Sequence, residues 1–149
     1  MSATTNACPR DAVVTGLIPM AHVESVERSI AFYAHLGLSV DNSLPDHSGA
    51  LRWAAMKSAL AQIMFARASG PIDPAQQAIL FYLYTDDLAA LRQHLLACGV
   101  PDLGGFHGCE RKPDGRGGLY DITHPPYMPG GEMRVEDPDG YCLLIGHLM

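Results

Sequence analysis

The sequence predicts an α+β protein built from two tandem β-α-β-β-β modules. Three observations carry the prediction. A strand-forming run followed by an amphipathic helix occurs twice, a polar cap and a terminal glycine bracket each helix at the same interval, and strand-formers separated by turns follow each helix. The 149 residues have room for one compact domain or for two small halves sharing one core. A hydrophobic fraction of 48% against 17% charged residues is the balance of a globular chain, not a disordered one.

The first strand is expected in LIPMAHV (17–23), and ESVERSIAFYAHLGL follows it with Val26, Ile30, Tyr33 and Leu36 near one helical face. Ser25 can cap the helix start and Gly37 can stop it. Three strands then read from SVDNS, ALRWAAMK and ALAQIMFAR. The stretch ASGPIDPAQQ forms a hinge, with the linker placed at 69–77 between a module at 14–68 and a module at 78–149. AILFYLYT (78–85) opens the second module, and DDLAALRQHLLACGV repeats the helical stripe as Leu88, Leu91, Leu95 and Cys98 between Asp87 and Gly99. After it come a strand or two within 101–128, then GEMRVE, then YCLLIGHL. Gly99 to Arg134 exceeds Gly37 to Arg52 by an insertion of about 20 residues, inside a Gly- and Pro-rich stretch placed at 104–131. A long irregular segment of this kind in a compact domain suggests a lid or binding loop. Asp137-Pro138-Asp139-Gly140 is a turn sequence joining the last two strands, so the turn is structural and any chemistry lies on the strands it joins.

Composition excludes several classes of partner. A formal net charge of −6 disfavours nucleic acid and anionic membrane, both of which are recognised by clustered Lys and Arg. No stretch approaches the ~20 apolar residues of a membrane span. MSATTNACPRDA lacks the basic start and apolar centre of a signal peptide, so a cytoplasmic protein with a flexible polar tail at 1–13 is expected. Cys8, Cys98, Cys109 and Cys142 are scattered without a CxxC pair and are read as reduced thiols.

The tandem β-α-β-β-β order, the SVERSIAFYAHLGL helix after a first strand and the final strand pair around DPDGY resemble the vicinal-oxygen-chelate superfamily of glyoxalase, bleomycin-resistance and extradiol-dioxygenase proteins. The resemblance covers about residues 14 to 148. It implies a curved mixed sheet around a cleft, with helices on the outer face. Enzymes of that superfamily hold a divalent metal through His and Glu on the first and last strand of each half. At the matching stations this chain has Ile18 in the first strand, with His22 four residues along, and neither Asp, Glu nor His between Ala59 and Arg67 or within 78–85. Leu144 stands where the family's last-strand Glu follows DPDG. The usual three-to-four-ligand centre is therefore expected to be absent, and no cofactor is expected. His107, Cys109 and His124 form a weaker candidate group for a soft metal.

The candidate ligand-binding residues are His22, Trp53, Tyr82, His124, Tyr127, Glu132 and Arg134. His22 is expected at the cleft edge, either satisfied by a neighbour or facing ligand. Trp53, the only tryptophan, stands beside the small Ala54 and Ala55 and reads either as a core anchor or as a platform for a planar or cationic ligand. Tyr82 belongs to an aromatic strand. Glu132, Arg134 and Glu136 alternate with Met133 and Val135, so the charged face is either solvent or cleft. HPPYMPGG should hold His124 and Tyr127 in a stiff loop near the mouth. No nucleophile motif and no phosphate-binding glycine loop is present. The expectation is a metal-independent protein of the bleomycin-resistance-like branch, binding a small molecule that is cationic or aromatic, and assembled as a homodimer. The alternative is a metal-dependent lyase, isomerase or dioxygenase of the glyoxalase type, with an atypical set drawn from His22, His124, Glu132 and His147.

Overall fold

A computed structural model describes residue 12 and residues 15–77, 79–107 and 114–148. The expected tail at 1–13, apart from Ala12, and Cys109 lie outside the described residues. The element order is β1 (Met20–Val23), α1 (Val26–Ala34), β2 (Ser39–Pro45), β3 (Leu51–Ser58), β4 (Ala61–Arg67), β5 (Leu80–Tyr84), α2 (Leu88–Ala97), β6 (Gly118–Leu119), β7 (Glu132–Glu136) and β8 (Cys142–Gly146). This is β-α-β-β-β twice. The strands form two four-stranded sheets, ordered β1-β4-β3-β2 and β5-β8-β7-β6. In each, the first strand of the module runs parallel to the last and the other pairs are antiparallel.

Both helices begin where their caps dictate. The Ser25 side chain accepts from the Arg28 amide at 3.1 Å and the Asp87 side chain from the Ala90 amide at 3.0 Å. Val26, Ser29, Phe32 and Tyr33 are the buried residues of α1. Ile30 and Leu36 of the expected stripe are partly buried against the same core, and Ser29 also turns inward, to a carboxylate of the second module. In α2, Leu88 and Leu95 are buried as expected, whereas Leu91 is half-buried and Cys98 serves as the C-terminal cap. β1 starts at Met20 and not at Leu17, and the carbonyl of Pro19 just before it accepts from the Met64 amide. The expected insertion is partly sheet: Gly118–Leu119 pairs with β7, and Thr123 bridges to Glu132.

Alternation along the strands gives each sheet a covered and an open face. Ala21, Val23, Ala54, Met56, Ile63 and Phe65 of the first sheet and Met133, Val135, Leu143 and Ile145 of the second belong to one core, with Val26, Phe32 and Tyr33 of α1 among them. The opposite faces look away from that core and expose Met20, Leu44, Leu80, Tyr82 and Tyr84.

The Asp137–Gly140 turn holds the modules together. Asp139 accepts from the Glu24 amide at 2.9 Å, from Arg28 at 3.1 Å and from the Ser29 hydroxyl at 3.5 Å. Asp137 accepts from the Tyr33 hydroxyl and from the amides of Asp139 and Tyr141, each at 2.9 Å. The Tyr141 hydroxyl donates to the His22 carbonyl at 2.9 Å, and Gln77 donates to the Asp139 carbonyl at 3.2 Å. Gly140 has φ +87°, and a Cβ there would stand 2.5 Å from Pro74 Cβ, so the turn admits only glycine against the hinge.

Burial pushes the Asp137 carboxyl up to about 7, against the pull of its hydrogen-bond donors. The native state therefore holds a proton that the unfolded chain has already released above its ordinary value of about 3.9. Stability from this group is highest below that value and falls as pH rises through about 7. Urea unfolding should show the wild type losing on the order of a few kcal/mol more than Asp137→Asn between acid and neutral pH. Parallel pH profiles for the two proteins would refute this assignment.

Candidate functional site

The transverse rows of the ladders show which candidates share a face. On the open face of the first sheet, His22, Ala66, Trp53 and Leu44 stand side by side across four strands. Ala66 is small, so nothing bulky separates His22 from Trp53. Trp53 is half-buried on the face opposite Ala54 and Met56, which places it on the open surface and not among the core residues. His22 is exposed and also borders a groove of about 420 Å³ against the hinge residues Gly70, Asp73 and Gln77.

On the open face of the second sheet the rows are Tyr84, Gly146, Glu132 and, one row along, Tyr82, Leu144, Arg134. Tyr82 donates to Glu132 Oε2 at 2.6 Å and Tyr127 donates to Glu132 Oε1 at 2.8 Å. Two phenols thus hold the carboxylate of Glu132, a residue only 8% exposed. Gly146 allows this: a Cβ there would come within 2.9 Å of the Tyr82 hydroxyl and 3.0 Å of Met128 Cε, so only a glycine leaves room for the Tyr82 reach. Tyr84 stacks at a tilt on Tyr82, with ring centroids 5.3 Å apart. His124 is exposed, and its ring lies against Gly131 at the edge of this group.

Arg134 is turned away from Glu132. Its guanidinium lies 4.2 Å above the Phe106 ring, and its Nε faces Glu136 at 4.0 Å. Glu136 in turn accepts from the Tyr120 hydroxyl at 3.2 Å. Glu132 consequently has no cationic partner within ion-pair distance among the described residues. Desolvation first, then the hydrogen bond to Glu132, raises the Tyr82 pKa; for Tyr127 the hydrogen bond to Glu132 is the leading cause of a rise. Both phenols are neutral donors at physiological pH.

The structure therefore assembles Tyr82, Tyr127 and Glu132, sets Arg134 and His124 beside them, and leaves His22 and Trp53 on the other sheet. Sequence reasoning did not single out Phe106, Met128 or Tyr84 as site residues. Tyr84 was within reach, since it stands two residues from Tyr82 and a strand returns every second residue to one face. Phe106 and Met128 carried no such signal, because they approach from the insertion.

The four stations do not fit the metal that the fold family's enzymes use. Leu144 lies on the open face between Tyr82 and Arg134, β4 turns Gln62, Met64 and Ala66 to its open face, and β5 turns Leu80, Tyr82 and Tyr84. No group of three or more His, Cys, Asp or Glu able to hold a metal occurs among the described residues. Within one chain the atypical set of His22, His124, Glu132 and His147 is not brought together, since His22 belongs to the first sheet and Glu132 to the second.

The sequence profile of the Glyoxalase/Bleomycin resistance protein/Dioxygenase superfamily matches residues 19–145. The chain belongs to this superfamily. No curated protein matches it. Among solved structures, a bleomycin-binding protein complexed with bleomycin superposes with a TM-score of 0.65 at 18% identity, covering 91% of this chain and 100% of the other. The bleomycin-binding protein of Streptomyces verticillus complexed with copper(II)-bleomycin gives 0.63 at 17% identity, covering 92% and 98%. A fosfomycin resistance protein of Listeria monocytogenes, complexed with manganese(II) and a dihydroxypropylphosphonic acid, gives 0.60 at 14% identity, covering 90% and 93%. These likenesses show the superfamily fold. No described helix is long and apolar enough to cross a membrane.

A hydrogen bond from a phenol to a buried carboxylate contributes roughly 1.5–3 kcal/mol. Tyr82→Phe should lower stability to urea by about that amount in the wild-type background and by clearly less in Glu132→Gln, because the charged acceptor is then gone. Equal losses in both backgrounds would place the Tyr82 contribution in ring packing.

Proposed function

We propose that this superfamily member is a metal-independent small-molecule binding protein that holds its ligand against the open sheet faces without turning it over. The observation that carries the reading is the group on the second sheet, in which a buried carboxylate is clasped by two phenols among exposed aromatic rings. Such a surface, apolar with a few oriented polar groups, is the composition of a ligand site. The metal stations carry Ile18 with His22 four residues along, then glutamine and methionine, then leucine and tyrosine, and finally Leu144, which together do not supply the His and carboxylate set that the chemistry of the family's enzymes requires. Solved structures of this fold include bleomycin-binding proteins in complex with bleomycin and with copper(II)-bleomycin, and these support a small molecule as the partner.

The protein acts as a homodimer in this reading. Both open faces are turned away from the shared core, and the exposed residues Met20, Leu44, Leu80, Tyr82 and Tyr84 all stand on them. Two-fold pairing sets the first sheet of one protomer across from the second sheet of its partner, bringing His22 and Trp53 opposite Tyr82, Tyr127 and Glu132 and forming two equivalent clefts. The charge of −6 and the apolar faces leave no role for nucleic acid or anionic membrane.

A ligand screen by melting temperature tests the reading, since a ligand that binds only the native state raises stability by mass action. Hits should quench Trp53 fluorescence, and EDTA should change neither the melting temperature nor the affinity of any hit. A large drop in either on chelation would overturn metal independence. Sedimentation at micromolar concentration should show a dimer, and a monomer under those conditions would remove the shared cleft.

A further inference from the structure

Glu132 presents a physical imbalance. The residue is more than nine-tenths buried, yet among the described residues its carboxylate is bonded only by two neutral phenols. A buried carboxylate without a counter-charge is costly, and in folded proteins such groups are paired or hold a cation. The nearest cationic side chain on its own strand, Arg134, stands over Phe106 and toward Glu136 instead.

The surroundings select the kind of cation. Hard metal ions take six or more oxygen ligands, and transition metals take several His, Cys or carboxylate donors. Here a single carboxylate is flanked by Tyr82, Tyr84 and Tyr127, residues that are 40%, 61% and 66% exposed. Ring faces attract a diffuse organic cation, while phenol hydroxyls already satisfy one lone pair on each carboxylate oxygen and fix its position. The raised Tyr82 and Tyr127 pKa values keep both hydroxyls protonated, so they orient the carboxylate without adding charge.

We infer that Glu132, with Tyr82, Tyr84 and Tyr127, is the anchor for an organic ammonium group, and that the ligand of this protein carries such a group. The inference rests on the small-molecule binding reading and specifies its charge. The ammonium lies against Glu132 from the open side of the second sheet, with the tyrosine rings around it. The remainder of the ligand extends away from Gly146, whose space the Tyr82 hydroxyl and Met128 already occupy.

The test uses choline as the probe, dimethylbutanol as its uncharged carbon isostere and sodium chloride at equal concentration as the ionic control. Binding is followed through the tyrosine ring signals in NMR spectra, assigned with Tyr→Phe variants. Choline should move the Tyr82, Tyr84 and Tyr127 signals and bind at least about tenfold more tightly than dimethylbutanol, the range that cation–ring attraction in a partly desolvated site supplies. Glu132→Gln, which preserves shape, should reduce the preference to the smaller one that the tyrosine rings alone supply. Equal affinity for the two probes, a preference undiminished in Glu132→Gln, or tyrosine signals unmoved by choline would each overturn the anchor. Movement of those signals by uncharged ligands alone would overturn the anchor and leave the binding reading intact. A melting-temperature screen that finds no ligand of any charge would overturn both.

Discussion

The docking of the Asp137–Gly140 turn onto the start of α1 is the constraint on which the rest of the molecule depends. A turn that would otherwise face water is buried, and each of its two aspartates answers donors of the other module. Asp139 satisfies the Glu24 amide and the Ser29 hydroxyl and pairs with Arg28, while Asp137 receives the Tyr33 hydroxyl. These bonds fix the last hairpin of the chain against its first helix. With that placement, α1 packs on the first sheet while its polar groups hold the turn of the second module, and a single core forms from the two modules. The other two faces are left to the surroundings, which is why the aromatic and polar groups of the proposed site stand on open sheet surfaces.

The second sheet then separates its charges by geometry. Glu132 and Arg134 stand two residues apart on one face, close enough to pair, yet each is held by aromatic partners in a different direction. Phe106 supports the guanidinium, and the phenols of Tyr82 and Tyr127 support the carboxylate. Gly146 makes this possible by contributing no side chain to the row between Glu132 and Tyr84. In the proposed reading, the scaffold is retained while recognition is carried by rings and a lone carboxylate.

The parts of this architecture legible in the sequence are those set by neighbours in the chain. Ser25 and Asp87 cap their helices through amides three residues away, and Gly37 and Gly99 take positive φ just after them, so the repeated modules could be read directly. The alternation of Glu132, Arg134 and Glu136 with Met133 and Val135 was visible, and the structure assigns the charged side to the open face. Trp53 was ambiguous between core and surface because its strand is apolar on both faces; the pairing of Ala54 with Phe65 decides it. Ser29 and the two turn aspartates read only as local polar groups, since their tertiary partners are more than a hundred residues away. The division of the site candidates between two faces was hidden for the same reason. It follows from how the modules dock, and no periodicity within either module encodes that.

In both sheets the first strand of a module pairs with the last, and that has a consequence for how the chain reaches its native state. β1 finds its partner in β4 only after the intervening helix and two strands have been made, and β5 waits for β8 in the same way. The contacts of Asp139 with Glu24 and Arg28 close loops of 115 and 111 residues. Closing loops of that length raises contact order and slows the approach to the transition state. On the ribosome the first sheet can pair early, but α1 has no second-module surface to meet until the final hairpin emerges. Until Asp137 and Asp139 arrive, the Glu24 amide, the Arg28 guanidinium and the Tyr33 hydroxyl face water, while the Tyr33 ring can already pack on Phe65 of its own module.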